Sequence, residues 1–110
     1  MIIVSILRRK DNGIAGFEVD GHAGYAKAGE DIVCAGVSAV TVGTVNSIES
    51  LTGIVMDSGM KNGFLSAHLP SAVEPEAGQQ AQLLLASLVV MLKSIEESYG
   101  KYIQIQDVII

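Results

Sequence analysis

Two long stretches of this chain contain no turn signal, and they limit its possible folds more than any other feature. The first runs from Asp31 to about Leu51, and the second runs from about Pro75 to Tyr99. Strands in globular proteins rarely exceed roughly 10 residues, so each stretch predicts a helix. The remaining segments are shorter, and they are expected to supply the layer against which both helices pack.

The first helix is predicted against its local composition. Its many valines and threonines are β-branched, and Gly36 and Gly43 further weaken a helix. Its apolar residues nevertheless repeat at three- and four-residue steps, as one face of a helix requires. Asp31 is a suitable N-cap, and Thr52-Gly53 is a suitable end. The predicted apolar face consists of Val33, Val37, Val40, Thr44, Ile48 and Leu51.

The second helix has clearer boundaries. Pro75 fits a first helical position, and Gly100 can close the end. Its apolar residues also recur with helical spacing. The predicted apolar face consists of Ala77, Ala81, Leu84, Leu88, Met91, Leu92 and Ile95.

Short apolar, β-branched runs predict five strands. The first two form a hairpin around Asp11-Asn12-Gly13, and Asn62-Gly63 marks a second turn. The predicted strands are Ile2–Leu7, Ile14–Val19, Ile54–Asp57, Phe64–Leu69 and Tyr102–Ile109. The element order is therefore ββαββαβ. We expect a single α+β domain over residues 1–110, in which a mostly antiparallel sheet is covered by two helices.

Composition narrows the setting and the partners. Hydrophobic residues make up 49% of the 110 residues against 17% charged, which is enough apolar material for one core. The net charge of −5 argues against tight binding to nucleic acid and suits a basic protein partner better. No apolar run approaches the roughly 18 residues of a membrane span, and no signal peptide is visible. A single cysteine excludes an intramolecular disulfide, so we expect a cytoplasmic protein.

The residues most suggestive of chemistry are Cys34 and His22. Cys34 is the only cysteine, and it stands twelve residues after His22, one of two histidines. If Asp31 caps the helix, Cys34 lies in the first turn, where unpaired N–H groups and the helix dipole favour an anion. A glycine-rich loop joins the two residues, so its closure is enough to bring the thiol to the imidazole. The pattern predicts a thiolate nucleophile with a histidine base.

Each of these residues also has a plainer interpretation. A lone cysteine in a helix is usually a small core residue, and a histidine at a strand end is usually a surface group. His68 lies in a predicted strand among apolar neighbours, and we interpret it as structural. A metal site is disfavoured because one cysteine and two histidines give at most three ligands at unsuitable spacing. A redox sensor usually needs a second thiol, which the chain lacks.

Five neighbouring residues are candidates for supporting roles. Asp31 can cap the helix, orient the His22 ring, or do both. Ser38 lies one helical turn beyond Cys34, where it can hydrogen-bond near the sulfur or fill space. Three glycines of the loop can allow a peptide backbone to approach or can be ordinary turn residues. These glycines are Gly21, Gly24 and Gly29.

The motif resembles a known family. Gly-His-Ala at 21–23, followed by Gly-Glu-Asp-Ile-Val-Cys-Ala-Gly-Val-Ser-Ala at 29–39, is similar to the bacterial ribosomal-processing cysteine proteases of the Prp family. The likeness covers nearly the whole chain. It implies a cytoplasmic, homodimeric cysteine endopeptidase that removes a hydrophobic, aromatic-rich N-terminal extension from a large-subunit ribosomal protein precursor. It implies no cofactor. A non-catalytic, ribosome-associated binding module is the alternative.

The resemblance also assigns roles to individual residues. Cys34 matches the family nucleophile and His22 its general base, while Asp31 and Ser38 fall on supporting positions. The loop between His22 and Cys34 is expected to be mobile until substrate binds. Backbone N–H groups at the start of the helix are expected to stabilise the oxyanion. Gly36 departs from the alanine that is more usual in the family, without consequence for the chemistry.

Overall fold

The computed structural model describes every residue from Met1 to Ile110 and contains seven regular elements. In chain order these are β1 (Ile2–Arg8), β2 (Ile14–Asp20), α1 (Ile32–Thr52), β3 (Asp57–Lys61), β4 (Phe64–His68), α2 (Pro75–Tyr99) and β5 (Ile103–Ile109). The predicted order ββαββαβ is confirmed.

The five strands form one mixed sheet in the order β3-β4-β2-β1-β5. The β1–β5 pair is parallel, and the other three pairs are antiparallel, as predicted for a mostly antiparallel sheet. Facing residues on one side of the sheet, such as Val4, Phe17 and Ala67, are completely buried. Alternate positions such as Ser5 and Glu18 are only half-buried. Both helices therefore contribute to a core on one face of the sheet.

Helix α1 overcomes its poor composition through capping and packing. Its N-cap is Asp31, and Gly53 ends it with φ of 77°, donating its N–H to the Glu49 carbonyl at 2.9 Å. Leu51, expected in the apolar face, is 69% exposed, so that part of the prediction is wrong. The inward-facing position in the last turn is instead Thr52, which is half-buried and lies four residues after Ile48. The buried residues are Val33, Val37, Thr41, Thr44 and Ile48.

Helix α2 has the predicted boundaries but a different buried face. Apolar residues surround the helix between positions 81 and 92, so periodicity alone does not single out one face. Met91, predicted to be buried, is exposed. Gly100 has a right-handed φ of −59°, so the helix does not end in the left-handed glycine cap we expected. The buried residues are Ala81, Leu85, Leu88, Val89 and Leu92.

The third strand lies later in the chain than predicted. Ile54 and Met56 were expected in a strand, but both are buried in an irregular segment that precedes it. The strand itself is Asp57–Lys61, an exposed edge strand. Its register is set by the turn that follows, since Lys61 pairs with Phe64 across it. The apolar residues at 54–56 therefore mark a segment that packs into the core, whereas the segment that pairs with β4 follows it.

Helix α1 is also long and apolar enough to cross a membrane, by length and composition alone. Over an 18-residue window its mean hydropathy is 1.4. Our expectation that no stretch approaches this length overlooked the helix as a whole. Core helices of soluble proteins pass the same test, and Val33, Val37 and Ile48 of α1 belong to the core described above.

Candidate active site

Cys34 is the third residue of α1 and is half-buried. Its sulfur accepts a hydrogen bond from the Ala23 backbone N–H, with 3.3 Å between nitrogen and Sγ. An N–H donor binds an anionic acceptor more strongly than a neutral one. The first turn of α1 therefore presents the thiol to the loop that carries His22, with a donor already directed at the sulfur.

Asp31 connects the start of α1 to the same loop. Its Oδ1 accepts the N–H groups of Val33 and Cys34, both at 3.0 Å. Its Oδ2 accepts those of Tyr25 at 2.9 Å and Ala26 at 3.2 Å. The hydrogen bond from Cys34 is the largest of the effects that together lower the pKa of the Asp31 carboxyl below its ordinary value. Asp31 is thus a helix cap and a loop clamp, and no hydrogen bond joins it to His22.

His22 is exposed, and its ring lies against the turn between β3 and β4. A Cβ added to Gly63 would come within 2.8 Å of His22 Nε2, which is closer than real Cβ contacts allow. Gly63 also has φ of +76°, and its carbonyl accepts the Gly21 N–H at 2.8 Å. A side chain at this turn would displace the imidazole. No hydrogen bond joins His22 to Cys34 in this structure.

Two cavities meet at these residues. The larger, of about 680 Å³, lies between the start of α1 and the preceding loop over residues 24–31. The smaller, of about 220 Å³, lies between α1 and the β3–β4 hairpin and is mainly apolar. Both cavities are lined by His22, Cys34 and Ser38. The candidate nucleophile and base therefore lie where a peptide could pass from one cavity to the other.

The three glycines of the loop differ in what they do. Gly21 has φ of +91°, and a Cβ there would be only 2.5 Å from the Met1 carbonyl oxygen, so packing on β1 demands glycine. Gly24 and Gly29 also have positive φ, but no atom lies within 4 Å of a Cβ added to either. Both line the larger cavity. They are turn residues with open space beside them, whereas Gly21 is structural.

Of the other two polar candidates, Ser38 and His68, only Ser38 lies at the cavities. Ser38 is exposed one turn beyond Cys34 and lines both cavities, so the structure brings it to the site. His68 lies in β4 and lines neither cavity. This position agrees with our interpretation of His68 as a structural residue.

Most of the backbone donors at the start of α1 are already bonded in this structure. The N–H groups of Val33 and Cys34 are bound by the Asp31 carboxylate, and that of Ala35 donates to the Asp31 carbonyl at 3.0 Å. Three of the four donors that we expected to be free at this end of α1 are therefore occupied, and only the Ile32 N–H has no partner. The donor that points at the sulfur comes from the loop, at Ala23.

Sequence reasoning missed two contributors to the site. Gly63 was interpreted only as a turn residue, although its missing side chain makes room for His22. Tyr25 was passed over, although a single aromatic residue in a glycine-rich loop was a usable signal. Its ring lies edge-on against Tyr99 and Tyr102.

Known proteins resemble this chain over nearly its full length. The family model for cysteine protease Prp matches residues 1–104. The ribosomal processing cysteine protease Prp of Bacillus subtilis (strain 168) is 44% identical over 101 residues, which is 90% of each chain. That of Staphylococcus aureus (strain NCTC 8325 / PS 47) is 36% identical over 105 residues, covering 96% of this chain and 97% of the relative.

A solved structure gives the same result. The Staphylococcus aureus ribosomal processing protease Prp, in complex with a covalently linked product peptide, superposes with a TM-score of 0.88. Its sequence is 34% identical, and the match covers 98% of this chain and 100% of the other. The chain described here therefore belongs to the cysteine protease Prp family and is a cysteine peptidase.

Proposed function

We propose that this peptidase uses Cys34 as its nucleophile and His22 as its general base and acid. The observation that carries the proposal is the meeting of both side chains at the junction of the two cavities. Cys34 is supported there by the start of α1 and by the Ala23 N–H. Asp31 supports both the helix and the loop, and Ser38 is a neighbour of the reacting atoms.

The chemistry follows the usual course of thiol acyl transfer. The Cys34 thiolate attacks the scissile carbonyl carbon, and the Ala23 N–H, which lies at the sulfur beforehand, turns to the oxyanion that forms beside it, an interaction worth about 3 kcal/mol in other enzymes. The C–N bond then breaks while His22 gives its proton to the departing amine, which leaves a thioester. His22 takes a proton from water, which attacks the thioester, breaks the C–S bond and releases the acid. Before the first step, the His22 ring turns towards the sulfur while it stays beside Gly63, which lines the same cavity, and it takes the proton of the Cys34 thiol.

The substrate we propose is a large-subunit ribosomal protein precursor, from which the enzyme removes an N-terminal extension. Relatives of this chain are named ribosomal processing proteases, which supports the assignment. Side chains such as Val42, Met60 and Leu65 line the smaller cavity, and they suit an apolar side chain in the cleavage sequence. The net charge of −5 favours a basic protein substrate.

We also propose a cytoplasmic homodimer, on the strength of the family resemblance. Light scattering of the purified protein is expected to give twice the mass of one chain. A mass that stays at one chain over the accessible concentration range would contradict the dimer without affecting the catalytic assignment.

The test incubates the wild type, Cys34→Ala and His22→Ala with the precursor and, as a control, with the same protein lacking its extension. The wild type is expected to shorten the precursor only, and Cys34→Ala is expected to leave it intact. Cleavage by Cys34→Ala would remove the proposed nucleophile. Binding of the precursor by all three proteins without any cleavage would favour a docking module instead.

A further inference from the structure

All three tyrosines of the chain meet at one point, although Tyr25 is far from the other two in sequence. Tyr25 lies in the loop between His22 and Cys34, whereas Tyr99 ends α2 and Tyr102 precedes β5. The Tyr25 ring centroid is 5.8 Å from that of Tyr99 and 5.2 Å from that of Tyr102. The interplanar angles are 88° and 78°, which is the edge-to-face geometry that aromatic pairs prefer.

Tyr99 and Tyr102 form a fixed platform for Tyr25. Both are half-buried and pack against the hydrophobic core. The Tyr102 N–H donates to the Tyr99 carbonyl at 2.8 Å, and the Tyr102 carbonyl accepts the Ile2 N–H at 2.8 Å. The corner between α2 and β5 is thereby tied to the start of the interior strand β1. A ring that packs on this corner therefore rests on residues that are bonded to the sheet and packed against the core.

The anchored ring belongs to the half of the loop that touches the sulfur. Tyr25 donates its N–H to Asp31 Oδ2, and two residues earlier the Ala23 N–H reaches Cys34 Sγ. The other half of the loop bonds only to itself. The Glu30 N–H donates to the Lys27 carbonyl at 3.0 Å, and an exposed ion pair of 3.7 Å joins the same two residues.

We propose that Tyr25 is a positioning residue for the peptidase reaction, acting through its ring contacts with Tyr99 and Tyr102. The contacts hold the first half of the loop so that the Ala23 N–H stays at the sulfur and His22 stays within reach of it. Only the second half, residues 27–30, is then free to move when a peptide enters. This inference rests on the proposed roles of Cys34 and His22.

The Tyr25 ring is not placed to contact a bound peptide directly, because none of the three tyrosines lines either cavity. An effect of Tyr99 or Tyr102 on catalysis that leaves the fold intact is therefore expected to pass through Tyr25. The consequence is a specific kinetic signature. Loss of the anchor is expected to lower kcat, which reports the alignment of the reacting groups, with little change in KM.

The experiment measures peptide cleavage by Tyr25→Leu, Tyr25→Phe, Tyr99→Leu and the double variant Tyr25→Leu/Tyr99→Leu. Leu83→Ala, at an exposed position of α2, controls for loss of surface apolar area. Tyr25→Leu is expected to lower kcat about tenfold. Tyr25→Phe keeps the ring and is expected to restore it. Tyr99→Leu is expected to reproduce the loss, and the double variant to add little to it. Should Tyr99→Leu fail to fold, Tyr102→Leu takes its place.

Amide hydrogen exchange at Tyr25 and Ala26, measured without substrate, makes the test independent of the chemistry. Both amides are expected to exchange faster in Tyr25→Leu and Tyr99→Leu than in the wild type and Tyr25→Phe. Wild-type kcat in Tyr25→Leu, a change in KM alone, or unchanged exchange would each overturn the anchor. Cleavage by Cys34→Ala would instead overturn the proposed nucleophile, and the exchange rates would still decide whether the ring holds the loop.

Discussion

The two helices are of similar length, 21 and 25 residues, but they begin in different ways. Helix α2 begins at Pro75, and the preceding Glu74 makes no side-chain capping bond. Because proline has no backbone N–H, α2 has one fewer unpaired donor in its first turn. Helix α1 begins with Asp31, whose carboxylate accepts two N–H groups from the helix and two from the preceding loop.

The more elaborate of the two helix starts is the one to which we assign the chemistry. The backbone N–H groups at a helix start need hydrogen-bond partners, and α2 forms without any side chain that supplies one. At α1 a charged group also fixes the loop that carries His22 and that brings the Ala23 N–H to the third helical residue, Cys34. The third residue of α2 is Ala77, which has no reactive group. Most of the following measurements compare a variant at or near this site with a matched variant elsewhere in the chain.

The largest effect is expected from His22→Ala, compared with His68→Gln in β4. General acid and base catalysis is worth about 10²–10⁴ in rate, so kcat/KM of His22→Ala should fall about 10³-fold. His68 lines neither cavity, so His68→Gln should cleave as the wild type does. Peptide cleavage assays measure both, and added imidazole is expected to restore part of the lost rate. Equal losses in the two variants would contradict the assignment of the base.

The next effect is that of Asp31→Ala, compared with Glu74→Ala at the start of α2. Loss of the carboxylate frees two loop N–H groups as well as two in the helix, so the loop is expected to shift. Misplacement of reacting groups by about 1 Å can cost 10²-fold in rate, and we expect a decrease in kcat of that order. Glu74→Ala should change neither kcat nor the melting temperature. Full activity of Asp31→Ala would show that the clamp is only a helix cap.

A smaller effect is expected from Gly63→Ala, compared with Gly53→Ala. The two glycines have almost the same φ, 76° and 77°, but only Gly63 touches the imidazole. Both variants should lose about 1 kcal/mol of unfolding free energy, because alanine tolerates positive φ poorly. Only Gly63→Ala should also lose activity, by about tenfold, since its methyl group displaces His22. Urea unfolding and cleavage assays together separate the two effects. Wild-type kcat in Gly63→Ala would contradict the contact.

The smallest effect concerns pH. The pKa of Asp31 is lowered in the folded state, mainly by the Cys34 N–H, from an ordinary value of 3.8. Its carboxylate therefore stabilises the fold fully above the unfolded pKa, and the contribution is lost as pH falls through the folded pKa. Asp31→Asn should be less stable than the wild type at neutral pH, with a difference that shrinks below 3.8. Urea midpoints measured across this range check the sign. A difference that grows on acidification would contradict it.

The sequence predicted elements whose signals are local. Asp31 and Gly53 marked the ends of α1 because capping depends on residues next to the helix. The position of Cys34 in the first turn followed directly. Helix α2 was located correctly from Pro75, but its buried face was not. Periodicity cannot choose a face when apolar residues surround the helix, and the choice depends on packing against α1 and the sheet.

The sequence could not predict features that depend on contacts between distant segments. The third strand was placed at Ile54 because that segment is apolar, whereas the register across the Asn62-Gly63 turn decides the pairing. The space that Gly63 leaves for His22, and the platform of Tyr99 and Tyr102 under Tyr25, exist only after the sheet and α2 have formed. Cys34 and His22 were identifiable as candidates and Asp31 as the helix cap, but the contributions of the Ala23 N–H, Gly63 and the two tyrosines were not.

The most direct measurement is the intact mass of the enzyme after mixing with a precursor peptide and rapid acid quenching. We predict an adduct equal to the acyl half of the peptide, located on Cys34 by digestion and absent from Cys34→Ser and Cys34→Ala. The thioester should decay as the acid product appears. Product formation without any adduct on Cys34, together with cleavage by Cys34→Ala, would contradict the account.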